Sequence, residues 1–243
     1  VAAQAASDQY RRYLVDQTAL LVDRTQAFVK AVLFGDVEQA KSLYAETRMP
    51  YERVEPVAES FGGLDPEIDG REDTVPPNGF VGFHRIEKAL WEENTAKGVR
   101  FVSTDLLADV KRLRALVFSI ALSPGQIANG ANELLTEVSS SKITGEEERY
   151  SHTDLWDFEA NVQGSKAAFD AVNPMLKQVD PALSKEIEQR FADVEAALEP
   201  YRRGNGFVLY GELTEQDKRK LSQSIDALAE PLSQVAAKIA PRG

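Results

Sequence analysis

"LVDQTALLVDRTQAFVKAV", residues 14–32, decides the fold class. Leu14, Leu21, Phe28 and Val32 recur on one face at α-helical spacing, and Thr18 and Thr25 fill the turns between them. Gly35 stops this helix. Asp36 caps the next, with Gln39 three residues later as in a capping box, and Ala40, Leu43 and Tyr44 continue its apolar side. Pro50 and Pro56 are expected to kink or end it.

The same period extends outward along the chain. A third helix carries Phe80, Phe83, Ile86 and Leu90; a fourth, opened by Ser103 or Thr104, carries Leu106, Val110, Leu113, Val117 and Ile120. Ser123 can cap a fifth with Pro124 at its first position, followed by Ile127, Leu134 and Val138. Leu155, Phe158, Val162, Phe169 and Val172 mark a sixth helix. Asp180-Pro181 opens a seventh and Thr214 an eighth. No run of strand period appears, and no sequence repeat links the halves. Eight helices with mostly short connections predict an all-α fold of two stacked antiparallel four-helix bundles, residues 1–123 and 124–243.

The 243 residues, 43% of them hydrophobic, suffice for one large core or two modest ones. The formal net charge of -11 has the wrong sign for collecting phosphate backbones, which argues against nucleic acid as a partner. No window approaches the roughly 20 apolar residues of a spanning helix, so membrane insertion is not expected. The chain opens "VAAQAASDQY", without an initiator methionine and with small residues of the kind left at a processing site, as a mature exported chain would, although a trimmed chain would start the same way. Cysteine is absent, removing disulfides and thiolate chemistry.

One connection, "AESFGGLDPEIDGREDTVPPN" (residues 58–78), is too long for a plain helix link and rich in acid, Gly and Pro. It precedes "GFHRIEKALW" (82–91), which holds one of two histidines. His84 and Glu87, three apart on a helix, lie on one face with β-carbons roughly 5–6 Å apart. Imidazole and carboxylate suit zinc, iron, manganese or copper, but two ligands rarely hold an ion alone. Glu52 and Glu55 offer the same spacing upstream, and the acidic loop adds Asp65, Glu67, Asp69, Glu72 and Asp73. Phe83, Ile86 and Leu90 read as core; Trp91, one heptad beyond His84, reads as core or as a pocket wall. A second constellation, "GEEERYSHTDLWDFEANVQG" (145–164), gathers Glu146, Glu147, Tyr150, His152, Asp154 and Asp157. It serves either as the acidic start of a helix capped by Thr153 or as a group facing His84 from the second half.

Enzymatic signatures are missing. Arg85 follows His84 where a zincin protease has glutamate, and there is no G-x-S-x-G. In the EF-hand-like "DPEIDG", the closing glutamate position is Pro76.

"MPYERVEPVAE", "IDGRED", "GFHRIEKALW" and "KITGEEERYSHTDLWDFEANVQG", in this order, resemble the imelysin-like family, in particular its periplasmic iron-uptake branch of EfeO and EfeM type. The resemblance implies paired four-helix bundles and an exported metal-binding protein working beside a membrane iron permease and a haem peroxidase-like partner. It implies His84, Glu87, Glu52, Glu55 and Asp69 as metal ligands; Arg85, Trp91, Tyr150, His152 and Asp154 are expected around the pocket from their positions in the two constellations. Iron is the first expectation for the cofactor, with zinc and copper as alternatives. EfeO-type relatives carry a cupredoxin-like domain ahead of the helices; this chain starts at the helical part, so the shorter EfeM type is the expected match. The family also includes members classed as metallopeptidases and an alginate-binding component. Binding of alginate, a polyanion, by a chain of charge -11 would need a basic groove or bridging cations.

Overall fold

The computed structural model describes residues 1–240. The described residues form ten α-helices: α1 (Ala2–Phe34), α2 (Val37–Val54), α3 (Leu64–Asp69), α4 (Gly82–Trp91), α5 (Arg100–Val117), α6 (Pro124–Ser140), α7 (Asp154–Val179), α8 (Pro181–Leu198), α9 (Glu215–Leu232) and α10 (Val235–Ile239). The fold is all-α. Its only strands among the described residues are the two-residue β1 (Arg202–Arg203) and β2 (Gly206–Phe207), an antiparallel pair between α8 and α9.

Helix α1 packs on α2 and α5, and α4 packs on α2 and α5; α6 packs on α7 and α9, and α8 on α7 and α9. Helix α7 also lies against α1 and α2, so the two groups meet face to face, and their buried apolar residues form one continuous core. The face read from residues 14–32 supplies Leu14, Leu21, Phe28 and Val32, all fully buried. Thr18 is buried in the same stripe, its hydroxyl donating to the Leu14 carbonyl at 2.7 Å. Asp36, Ser123, Asp180 and Thr214 each accept a backbone N–H at the starts of α2, α6, α8 and α9.

Three expectations are refined. Of the two prolines expected to kink or end α2, Pro50 lies inside the helix, which ends at Val54 just before Pro56 in a 3-10 turn. Proline cannot donate to the carbonyl four residues back, and here Arg24 of α1 donates to that carbonyl, Glu46 O, at 2.6 Å. Helix α5 begins at Arg100, with Ser103 and Thr104 inside it; their hydroxyls bond the Arg100 carbonyl at 2.7 and 3.0 Å instead of capping. Phe80 precedes α4, which starts at Gly82 with φ 76°. A Cβ there would lie 2.3 Å from the Ile68 carbonyl, so the glycine allows both the left-handed turn and the seating of α4 on α3.

Gly164 plays a comparable part on α7, where a Cβ would fall 2.3 Å from the Arg53 carbonyl of α2. Gly164→Ala is therefore expected to wedge the two halves apart beside Glu52, costing about 1–3 kcal/mol in a denaturant titration. An unchanged midpoint would show that the helices can part without loss.

Candidate metal centre

The acid-rich centre lies where the two groups of helices meet. The i, i+4 spacing of Arg48 and Glu52 puts both on the face of α2 turned toward α7 and the 142–153 segment, and Glu55 follows at the start of the next turn. Helix α3 ends on Asp69. Helix α4 presents His84 and Glu87, and the segment before α7 brings Glu147 and Glu148.

His84 is 2% exposed. Its Nδ1 donates to Glu87 Oε2 at 3.1 Å, and the other Glu87 oxygen accepts the backbone N–H groups of Tyr150 (3.0 Å) and Ser151 (2.8 Å). Nε2 lies 3.4 Å from Asp69 and 4.0 Å from Glu147, close in charge but with no hydrogen bond formed. Donor atoms of Asp69, His84 and Glu147 lie within 4.8 Å of one another, as do those of His84, Glu87 and Glu148.

Two side-chain cations occupy the same space. Arg48, 0% exposed, is ion-paired closely with Glu52, Asp69 and Glu148, and reaches Asp157 at 3.6 Å and Glu147 at 3.9 Å. Lys142 Nζ donates to Glu52 at 3.1 Å and to both oxygens of Glu55 at 2.7 and 2.8 Å, and lies 3.6 Å from Glu147. Asn161 of α7 donates to Glu52 (2.9 Å) and Glu55 (2.8 Å).

The carboxyl groups outnumber the bases. Glu52, Glu55, Asp69, Glu87, Glu147, Glu148, Asp154 and Asp157 surround Arg48, Lys142 and His84, with Arg71 reaching Glu147 from nearer the surface at 3.0 Å. Burial pushes the pKa values of Glu55, Glu148 and Asp157 well up, and that of Asp154 up to about 6. Burial also acts on Asp69 and Glu52, but Arg48 with His84 outweighs it at Asp69, and Lys142 with Arg48 outweighs it at Glu52, so both are held low. For His84, burial and Arg48 both disfavour the charged ring; Asp69 and Glu87 overcome them and raise it to about 10. Positive charge is thus short in this space, and a multivalent cation could supply it. Oxygen donors, one imidazole and an orphaned buried Nε2 fit a metal ion.

The residues expected around the pocket divide. Glu52 and Glu55 converge on Lys142 and Asn161, while His84, Glu87 and Asp69 converge with Glu147 and Glu148. Asp154 buttresses the centre by accepting the Glu148 N–H at 3.1 Å. Tyr150 contributes its backbone N–H, its hydroxyl instead meeting Glu72 at 2.6 Å nearer the surface. Arg85 points away to Glu93 (3.1 Å), and Trp91 packs edge-on against Tyr44 with ring centroids 5.3 Å apart. His152 is exposed: a φ of 60° turns the chain there, and only its backbone is engaged, to Glu148 O and Tyr210 N. Arg48, Lys142, Glu148 and Asn161 were not read from the sequence. Arg48 alone left a signal, an opposite charge four residues before Glu52.

The imelysin family model (peptidase M75) matches residues 6–235. Proteins described as "Iron uptake system component EfeO", from Escherichia coli (strain K12) and Shigella flexneri, are each 45% identical to the chain over 230 residues, 93% of this chain and 61% of their own. The chain thus spans about three-fifths of the length of these curated relatives. With a family match over nearly its whole length, the chain belongs to the imelysin family.

Proposed function

We propose that this protein captures an iron ion at the buried His/carboxylate centre and holds it for delivery to a membrane uptake system, working in the periplasm. The observation that carries this reading is His84 Nε2, buried without a hydrogen bond between Asp69 and Glu147. The excess of carboxyl groups around it supports the same reading, as does the iron-uptake description of the EfeO relatives. His84, Glu87 and Asp69 are the proposed ligands from the first half, residues 1–123. Glu147 and Glu148 reach in from the second, residues 124–243, while Glu52 and Glu55 stand beside them as a reserve of oxygen donors. Hard oxygen donors favour ferric iron, and the imidazole admits ferrous iron, zinc or copper. A membrane permease is the proposed recipient. Among the described residues no helix is long and apolar enough to cross a membrane, so passage through a bilayer would fall to that partner.

Loading must displace protons. With its pKa raised to about 10, the His84 ring holds its proton in the neutral range and has to lose it to bind an ion. Zinc, a soluble probe, should therefore bind more tightly as pH rises, its association constant gaining at least about one decade per pH unit between pH 6 and 8. Chelator-competition titrations at several pH values measure this. An affinity that is flat with pH, or no binding, would remove His84 from the site.

A further inference from the structure

The position of Lys142 has a meaning beyond that of a buried ion pair. Its side chain is 6% exposed, and its ammonium touches three carboxylates, Glu52, Glu55 and Glu147. Glu147 is also within ligand distance of Asp69 and His84, so ammonium and metal ion would draw on one oxygen-rich shell. Two cations sharing such a shell repel each other, and the low dielectric of a buried site strengthens that repulsion. Arg48, gripped by carboxylates on several sides within α2, has little freedom to yield. Lys142 is held differently. It starts a 3-10 turn, Lys142–Thr144, that ends at Gly145 in left-handed conformation, and so lies outside the helices on either side. Next to it opens a cleft of about 340 Å³ whose lining includes Glu55, Asp69, Glu137 and Glu147. Arg71, paired with Glu147 at 3.0 Å, also lines this cleft, and Glu137 offers a displaced ammonium a further carboxylate there.

We propose that Lys142 is a tethered counter-cation that competes with the metal ion for Glu52, Glu55 and Glu147, weakening capture and easing release. In the empty protein it neutralises carboxylates that would otherwise repel one another. On loading it gives way, and as the ion leaves it returns, so release does not expose a bare cluster of negative charge. A protein that must hand its cargo on needs such a limit on affinity, whereas a storage site does not. The inference rests on the metal-binding reading of the centre.

The test is calorimetric titration of zinc, with competing chelator, into the apo forms of the wild type, Lys142→Met and Lys142→Arg at pH 7. Lys142→Met keeps the length and removes the charge, and it should bind zinc roughly tenfold more tightly or better. Lys142→Arg, which keeps the charge, should stay near the wild type. A merely structural role predicts the opposite, since a disturbed centre binds less well. Should Lys142→Met misfold by circular dichroism, Lys142→Gln, able to hydrogen-bond Glu55, provides the same comparison. Folded neutral variants that bind zinc no more tightly than the wild type would overturn the competition while leaving the metal site standing. A wild type that takes up no zinc would bring down the metal-binding reading itself.

Discussion

Arg48→Met is expected to lower the stability of the apo protein by about 3–5 kcal/mol, a fall in melting temperature on the order of 10 °C for a chain of this size. Arg48 has no solvent exposure, and its guanidinium is the shared partner of Glu52, Asp69 and Glu148, with Asp157 at 3.6 Å. Taking it away leaves several buried carboxylates facing one another in a medium that cannot solvate them, which costs far more than the pairs themselves contribute. The deficit should shrink on mild acidification. Glu148 and Asp157, already pushed up by burial, take protons more readily in the folded chain than in the unfolded one, and folding gains wherever the native state binds more protons. Added zinc should narrow it too, by restoring positive charge to the same space. Thermal unfolding followed by circular dichroism, with and without zinc at pH 5 and 7.5, makes the comparison. A melting temperature within about 2 °C of the wild type at pH 7.5 would show that Arg48 does not hold the carboxylates together.

His84→Ala is expected to weaken zinc binding by more than about 100-fold, since removal of an outer-shell partner alone typically costs tenfold to a hundredfold. Glu87→Gln should follow it closely. It preserves shape, and the amide oxygen can still accept from Tyr150 and Ser151, but it discards the charge that His84 and an ion share. Glu55→Gln should do less, because both Glu55 oxygens are already engaged by Lys142 and Asn161. The order of the three losses carries the information. Equal losses would make Glu55 as close a ligand as His84, and an undiminished affinity in His84→Ala would remove the histidine from the centre altogether.

Much of the fold is legible because its signals are local. The stripe from Leu14 to Val32 and the caps at Asp36, Ser123, Asp180 and Thr214 concern residues within a few positions of one another, and each appears where its spacing places it. Ser103 and Thr104 are misread for a related reason: a hydroxyl that bonds backwards inside a helix looks, in sequence, like one that caps. The pairing of His84 with Glu87 is similarly legible from a three-residue spacing. Lys142 is not, because it lies 90 positions from Glu52 and nothing in "SSSKITGEEE" marks that lysine as an interior charge. Trp91 and His152 show the converse. Proximity in sequence to His84 or Glu148 gives no direction, and a packed ring or a reversed turn carries both side chains elsewhere.

Pro50, between Arg48 and Glu52, leaves the Glu46 carbonyl of α2 without its helical donor, and Arg24 of α1 supplies one. The α2 face that carries Arg48 and Glu52 is thus braced in part by a side chain of α1 that touches none of the buried carboxylates. Drift at position 24, on a different helix, can detune the interior while every ligand remains in the sequence.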